Sequence, residues 1–253
     1  MLQGVQTKIP AMVNCMFRPL RSGETPKRRG QTEVYECDGT FTEEFMKLRD
    51  SDQPWIPTIK HDGTCCMILN GNLYARLDVR PGKSIKDPES SLPSSDGSFR
   101  WIPQMGSTNA AYQYHRASLT ILEDGVTAVR LVVPDQEQGY VIQLVPISEL
   151  IGTYELVGPK IQNNPYRFPE ELVPVEVLSK GQVTTRKIPA HYLVRHGSFP
   201  IKVTDELFEN YEKLRAYILD HQYEGVVIHG PSGPLFKFNR GHMNAESSEF
   251  RIV

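Results

Sequence analysis

Apolar and polar positions alternate with a period of two over much of the chain, and Gly and Pro interrupt the alternation often. This predicts many short strands and few helices. GVTAVRLVV (125–133) and GYVIQLVPI (139–147) alternate in this way around PDQEQ, which predicts an antiparallel pair. Cys65 to Leu69 and Asn72 to Leu77 flank Asn70-Gly71, a pair that favours a two-residue type I′ hairpin. With Leu69 opposite Asn72, Cys65 faces Arg76 and Thr64 faces Leu77. Arg76 then arrives beside the Asp-Gly-Thr segment that follows Lys60. A second hairpin is expected in EGVVIHGPSGPLFKFNR (224–240), two strand-like runs split by Gly-Pro-Ser-Gly-Pro. A four-residue turn over 231–234 puts Gly230 opposite Leu235 and Ile228 opposite Lys237. Glu224, Val226, Ile228 and Lys237 then share one face, whereas a five-residue turn separates them.

Helical periodicity is confined to two places. Thr204 to Gln222 carries Leu207, Tyr211, Leu214 and Ile218 at spacings of four, three and four and reads as one amphipathic helix. Residues 42–49 predict a short helix capped by Thr42. Residues 83–98, KSIKDPESSLPSSDGS, hold almost no large apolar side chains and read as an exposed, mobile insertion. Residues 1–53 read as an N-terminal edge module. Its PKRRG cluster is either a contact for RNA phosphates or a solvated basic loop. No internal repeat is present.

Composition narrows the class. At 253 residues, 39% hydrophobic and 23% charged, the chain suits one large globular domain or two modest ones. No apolar run reaches the roughly 18 residues of a membrane span, and Pro10, Asn14 and Arg18 interrupt the amino-terminal segment, so an untargeted, soluble chain without membrane contact is expected. Cys15, Cys37, Cys65 and Cys66 show no metal-type spacing, which favours a reducing, intracellular and most simply cytoplasmic setting. The net charge of −2 advertises no nucleic acid, so phosphate binding would need a local basic cleft.

The candidate chemistry begins at IKHDGTCCMI (59–68). A cation delivered beside Lys60 is poor for stability but useful for chemistry, because a neighbouring positive charge lowers a lysine pKa and exposes its amine as a nucleophile. K-x-D-G by itself also reads as a surface turn, and the 224–240 hairpin by itself as an apolar one with solvent-facing ends.

The order of K-x-D-G, an Arg-bearing strand, the acid of YELVG, E-G-V-V and a Lys-bearing strand resembles the motif series of covalent nucleotidyltransferases. KHDGTCCMI, YARLDVRPGK, ELVGPKIQNNPY, LVRHGSFPI and EGVVIHGPSGPLFKFNRGH are more closely similar to 5′-to-3′ RNA ligases of the animal RNA ligase 1 family, over roughly Pro54 to His242. The resemblance implies an α+β fold, an antiparallel β-rich nucleotidyltransferase domain of the ATP-grasp-like ligase adenylation type. It implies one such domain over 1–253, a few flanking helices and no OB domain; about a dozen residues follow the Lys237 strand, too few for that barrel.

The same resemblance implies roles. Lys60 would attack the α-phosphate of ATP and carry AMP, and Asp62 would orient the lysine or a metal-bound water. Gly63 would let the backbone approach the nucleotide. Arg76 would hold ribose or phosphate, and Glu155 would sit near the ribose hydroxyls. Glu224 would hold a divalent metal, Mg²⁺ or alternatively Mn²⁺. Lys237 would brace the α-phosphate. Phe199 is preferred to Tyr166 for stacking on adenine. Many ligases carry K-x-K in the last motif, where this chain has Asn239 followed by Arg240; Arg240 either substitutes or the contact is dispensed with. The implied partner is RNA with 5′-phosphate and 3′-hydroxyl ends, with no protein partner implied. The alternatives are a non-catalytic nucleotide- or RNA-binding module, a DNA ligase and an mRNA capping guanylyltransferase.

Overall fold

Two segments far apart in sequence, residues 9–60 and 200–253, build one unit of the chain, and residues 61–199 build most of the other. The computed structural model describes residues 7–24, 32–79, 90–162, 164, 166–168, 170–202 and 205–243. The PKRRG cluster lies outside them.

The chain opens with the antiparallel strands β1 (Val13–Pro19) and β2 (Glu33–Phe41). Their register sets Cys15 opposite Cys37, and the two are joined in a disulfide. Strand pairing makes this bond across a sequence separation of 22, so spacing alone did not reveal it, and the cysteines no longer argue for a reducing compartment. Helix α1 (Glu43–Arg49) starts where expected. The Thr42 hydroxyl accepts from the Phe45 amide at 3.2 Å, with Glu43 and Glu44 in the first turn and Lys47 and Arg49 in the last to complement the helix dipole. The segment ends in β3 (Ile56–Lys60).

From His61 onward the strands are β4 (Thr64–Leu69), β5 (Asn72–Asp78), β6 (Leu92–Pro93) and β7 (Phe99–Pro103), followed by a single helical turn, α2 (Gln113–Arg116). Then come β8 (Leu119–Ile121), β9 (Thr127–Asp135), β10 (Gly139–Pro146), β11 (Gly152–Val157), β12 (Leu172–Ser179), β13 (Gln182–Pro189) and β14 (Tyr192–Arg195). They form a sheet ordered β10-β9-β14-β11-β4-β5-β7-β6, with β8 on β9 and a separate β12–β13 hairpin. Neighbouring pairs are antiparallel apart from β14 on β9. The β4–β5 hairpin turns at Asn70 and Gly71, both at positive φ, with Leu69 opposite Asn72 as its sequence predicts. The β9–β10 pair forms as expected.

Within 83–98, residues 83–89 lie outside the described residues; most of 90–98 is exposed as expected, but the segment is tied to the sheet rather than inserted loosely. β6 pairs with β7, and Ser91 and Ser94 are buried. Hydroxyl chemistry replaces apolar packing here. The Ser94 hydroxyl accepts from the Phe99 amide at 3.1 Å and donates to Asp96 at 2.8 Å, and Arg100 Nε donates to Ser91 at 2.6 Å.

Side-chain alternation gives the large sheet two cores. Cys66, Ile68, Leu73, Tyr154, Leu156 and Leu193 enter one, while Val157, Tyr192 and Val194 meet Val173, Val175 and Val177 of the β12–β13 hairpin in the other.

The last segment returns to the first unit. The single helix expected over 204–222 is instead a 3₁₀ turn (Asp205–Phe208) followed by α3 (Tyr211–Asp220). Asn210 breaks the run because its side chain accepts from the Lys213 amide at 3.0 Å and caps a new helix. The apolar face survives the break: Leu207, Tyr211, Leu214 and Ile218 are all buried with Phe45 and Leu48 of α1. Strands β15 (Gly225–Gly230) and β16 (Gly233–Asn239) complete a three-stranded sheet ordered β16-β15-β3. Pro10 to Met12 line the far side of β16, through Met12 N to Lys237 O and Lys237 N to Pro10 O, both at 2.9 Å. Among the described residues no helix is long and apolar enough to cross a membrane.

Candidate active site

Central β15 sets the geometry around Lys60. Lys60 lies opposite Gly225, which lies opposite Asn239; two residues along, Thr58, Val227 and Lys237 are aligned. Residues at matching positions, and those two apart on one strand, share a face. Lys60 and Lys237 therefore leave the same face from the two outer strands. Ile59, Val226, Ile228 and Phe238 leave the other and pack into the core.

This corrects the expected hairpin. The turn holds two residues, Pro231 and Ser232, with Gly230 opposite Gly233. A register shift between Ile228 and His229 then leaves Leu235 as an extra residue, so Lys237 opposes Val227 rather than Ile228. Glu224 does not share a strand face with Lys237. It precedes β15, and its carboxylate accepts a hydrogen bond from Lys60 Nζ as an ion pair, with the side chains 17% and 25% exposed.

Two residues unassigned from the sequence shape this surface. A Cβ on Gly225 would lie 2.8 Å from the Asn239 Cα and closer still to the Phe238 carbonyl oxygen, so the absent side chain is what lets β16 approach. His242 ends the 3₁₀ turn Arg240–His242 that follows β16 and is buried. Asn239 caps that turn: its side chain accepts from the His242 amide, and His242 Nδ1 accepts from the Asn239 amide at 3.3 Å. The position that departs from K-x-K is thus a capping position. Arg240 Nη2 is directed at the Gln222 carbonyl, 3.5 Å away.

Burial, with Lys237 and then Lys60 adding to it, lowers the His242 pKa from 6.5 to about 4. Burial, with His191 and Arg116, does the same to His115. With folded pKa values depressed, the unfolded chain binds protons first as pH falls. The stability from these neutral imidazoles is complete above about pH 6.5 and is lost toward about pH 4. Melting temperature should fall through that window, less steeply in His242→Gln; an identical slope in the variant would contradict the assignment.

The other unit carries the remaining candidates. The Asp62 amide lies 3.4 Å from Tyr166 Oη, and His61 Nδ1 pairs with that hydroxyl at 2.8 Å. Phe199 meets the His61 ring edge-on at 5.1 Å, so both aromatic candidates pack against one histidine. The Arg76 guanidinium lies 4.2 Å over the Phe99 ring, with Nε donating to Asp78 at 3.0 Å. Glu155 lies opposite Cys65 on one side and Val194 on the other. Its carboxylate is 2.9 Å from His196 Nε2, a partner inside LVRHGSFPI that the sequence did not single out. Gly63 is needed for packing: a Cβ there would lie 2.7 Å from Glu155 Cγ and closer to the Leu156 carbonyl. Lys60, Glu224 and Lys237 thus belong to one unit, and Asp62, Arg76, Glu155 and Phe199 to the other.

Similar proteins give this arrangement a context. RNA ligase 1 of Mus musculus is 28% identical in an alignment of 295 residues covering 96% of this chain and 81% of the relative. RNA ligase 1 of Rattus norvegicus is 26% identical, and that of Danio rerio 25%, each covering 96% of this chain and 82% of the relative. The RNA ligase 1 family profile matches residues 86–249. The chain belongs to the RNA ligase 1 family.

Proposed function

We propose that the chain is an ATP-dependent RNA ligase that joins 5′-phosphate and 3′-hydroxyl RNA ends through a lysyl-AMP intermediate, on a nucleotidyltransferase fold. The observation that carries this reading is the three-stranded sheet, where Lys60 and Lys237 share one face and Lys60 is paired with Glu224. An amine nucleophile beside a carboxylate, with a second cation on the same surface, suits phosphoryl transfer, in which positioning and charge neutralisation do most of the work.

In the first step the Lys60 amine, having lost its proton, attacks the α-phosphorus of ATP. A P–N bond forms, the α–β P–O bond breaks, and pyrophosphate leaves. In the second, an oxygen of the RNA 5′-phosphate attacks the lysyl-AMP phosphorus; the P–N bond breaks and the amine is regenerated. In the third, the 3′-hydroxyl attacks the adenylated 5′-phosphate, the phosphodiester forms, and AMP leaves. Lys237 stabilises charge on the phosphate throughout. Asp62 orients the lysine, Arg76 and Glu155 hold phosphate and ribose, and Phe199 stacks on adenine. The Glu224 carboxylate is a partly buried hard-oxygen donor and fits Mg²⁺ or Mn²⁺, which when bound would neutralise phosphate charge.

A panel of single-stranded, nicked and hairpin RNA and DNA with 5′-phosphate and 3′-hydroxyl ends tests the substrate assignment. RNA is expected to be sealed with ATP and not with GTP. Preference for nicked DNA, or use of GTP, would overturn it.

A further inference from the structure

We infer that Cys65, Glu155 and His196 form a binding site for a thiophilic divalent cation of the Zn²⁺ class, separate from the hard-oxygen donor Glu224. The Cys65 sulfur, a Glu155 carboxylate oxygen and a His196 ring nitrogen all lie within 4.8 Å of one another. Zinc bonds of about 2.3 Å to sulfur and about 2.0–2.2 Å to nitrogen or oxygen require donors roughly 3.3–3.7 Å apart in a tetrahedron. Small side-chain movements bring the three to that spacing.

The fold assembles the donors. Antiparallel pairing of β4 with β11 sets Cys65 directly opposite Glu155, while Cys66 alternates into the core behind them. β14 sets Val194 on the other side of Glu155, and alternation returns the chain to the same face two residues later, at His196. The His196 amide donates to the Thr153 carbonyl at 3.2 Å, fixing the backbone. Its ring Nδ1 is 2.9 Å from Thr153 Oγ1, which turns Nε2 toward Glu155. A histidine held by one nitrogen so that the other faces a carboxylate and a thiol has the outer-shell support usual for metal-ligating imidazoles. All three side chains are half-buried, sheltered yet open to an entering ion.

The donor set selects the metal. Thiolate and imidazole favour Zn²⁺ over Mg²⁺, whereas Glu224 offers oxygen alone. Binding takes the Cys65 proton to solvent and leaves a fourth coordination position open. Cys65 and His196 have no part in the ligation steps above. One consequence rests on the proposed ribose contact of Glu155: a zinc ion holding that carboxylate would withdraw it from the nucleotide, so Zn²⁺ would inhibit formation of the AMP adduct.

Titrating the full chain with Co²⁺ as a spectroscopic probe tests the site. One equivalent should produce a thiolate-to-cobalt charge-transfer band that Zn²⁺ displaces. The band should vanish in Cys65→Ser and persist in Cys66→Ser, and Thr153→Val should weaken binding by about 10–100-fold. Absence of the band in the unaltered protein, or its survival in Cys65→Ser, would overturn the site. In parallel, Zn²⁺ should suppress adduct formation from ATP in the unaltered protein and not in Cys65→Ser. An intact band with undiminished adduct formation would overturn the inhibitory role and the ribose contact of Glu155 while leaving the metal site standing.

Discussion

Lys60→Met protein is expected to form no adduct with AMP and to leave 5′-phosphate RNA unjoined, yet to seal chemically pre-adenylated RNA without ATP. Any cation near ATP weakens binding when removed, so lost activity alone does not identify a nucleophile. A covalent nucleophile is distinguished by when its work ends. Once AMP has moved to the RNA end, the remaining step needs the 3′-hydroxyl and the groups that stabilise phosphate charge, but no attacking amine. The first step should therefore fall on the order of 10⁴-fold or more, and sealing of the pre-adenylated end by about ten-fold or less. Lys237→Ala should impair both, because its phosphate contact serves every step. Equal loss in the two assays for Lys60→Met would make Lys60 a phosphate contact only.

The largest effect on stability is expected from Gly225→Ala. A methyl group there meets the β16 backbone at Phe238 and Asn239, which cannot rotate away as a side chain would. Overpacking against main chain should cost about 3 kcal/mol, lowering the melting temperature by roughly 6–12 °C in a chain of this size. The shift should be read beside adduct formation, since β15 carries Gly225 directly opposite Lys60. An unchanged melting temperature would mean that the strands are not this close.

What the sequence disclosed follows from how local each signal is. Asn70-Gly71 encodes a turn by itself, and register then propagates along β4 and β5. Thr42 likewise places the start of α1 within a single turn. The β15–β16 register depends instead on one extra residue at Leu235, and period-two reasoning cannot detect a bulge just beyond a Gly- and Pro-rich turn. It thereby misassigned the faces: Lys60 joins Lys237, and Glu224 reaches Lys60 from outside the strand. Asn210 interrupted the 204–222 helix because a cap competes with helix continuation, while the spacing of Leu207, Tyr211, Leu214 and Ile218 still located the buried face. The Cys15–Cys37 bond and the Glu155–His196 pair join residues 22 and 41 positions apart, and the depressed pKa of His242 depends on its burial. No local pattern carries them.

The ligation chemistry rests on Lys60 being the residue that carries AMP. This is checked by incubating the protein with ATP and Mg²⁺, digesting it under conditions that preserve a phosphoramidate, and mapping AMP by mass spectrometry. AMP is expected on the Lys60 side chain, at a single site, and lost when pyrophosphate or 5′-phosphate RNA is added. AMP attached to any other residue, or an adduct formed normally by Lys60→Met, would make another residue the nucleophile.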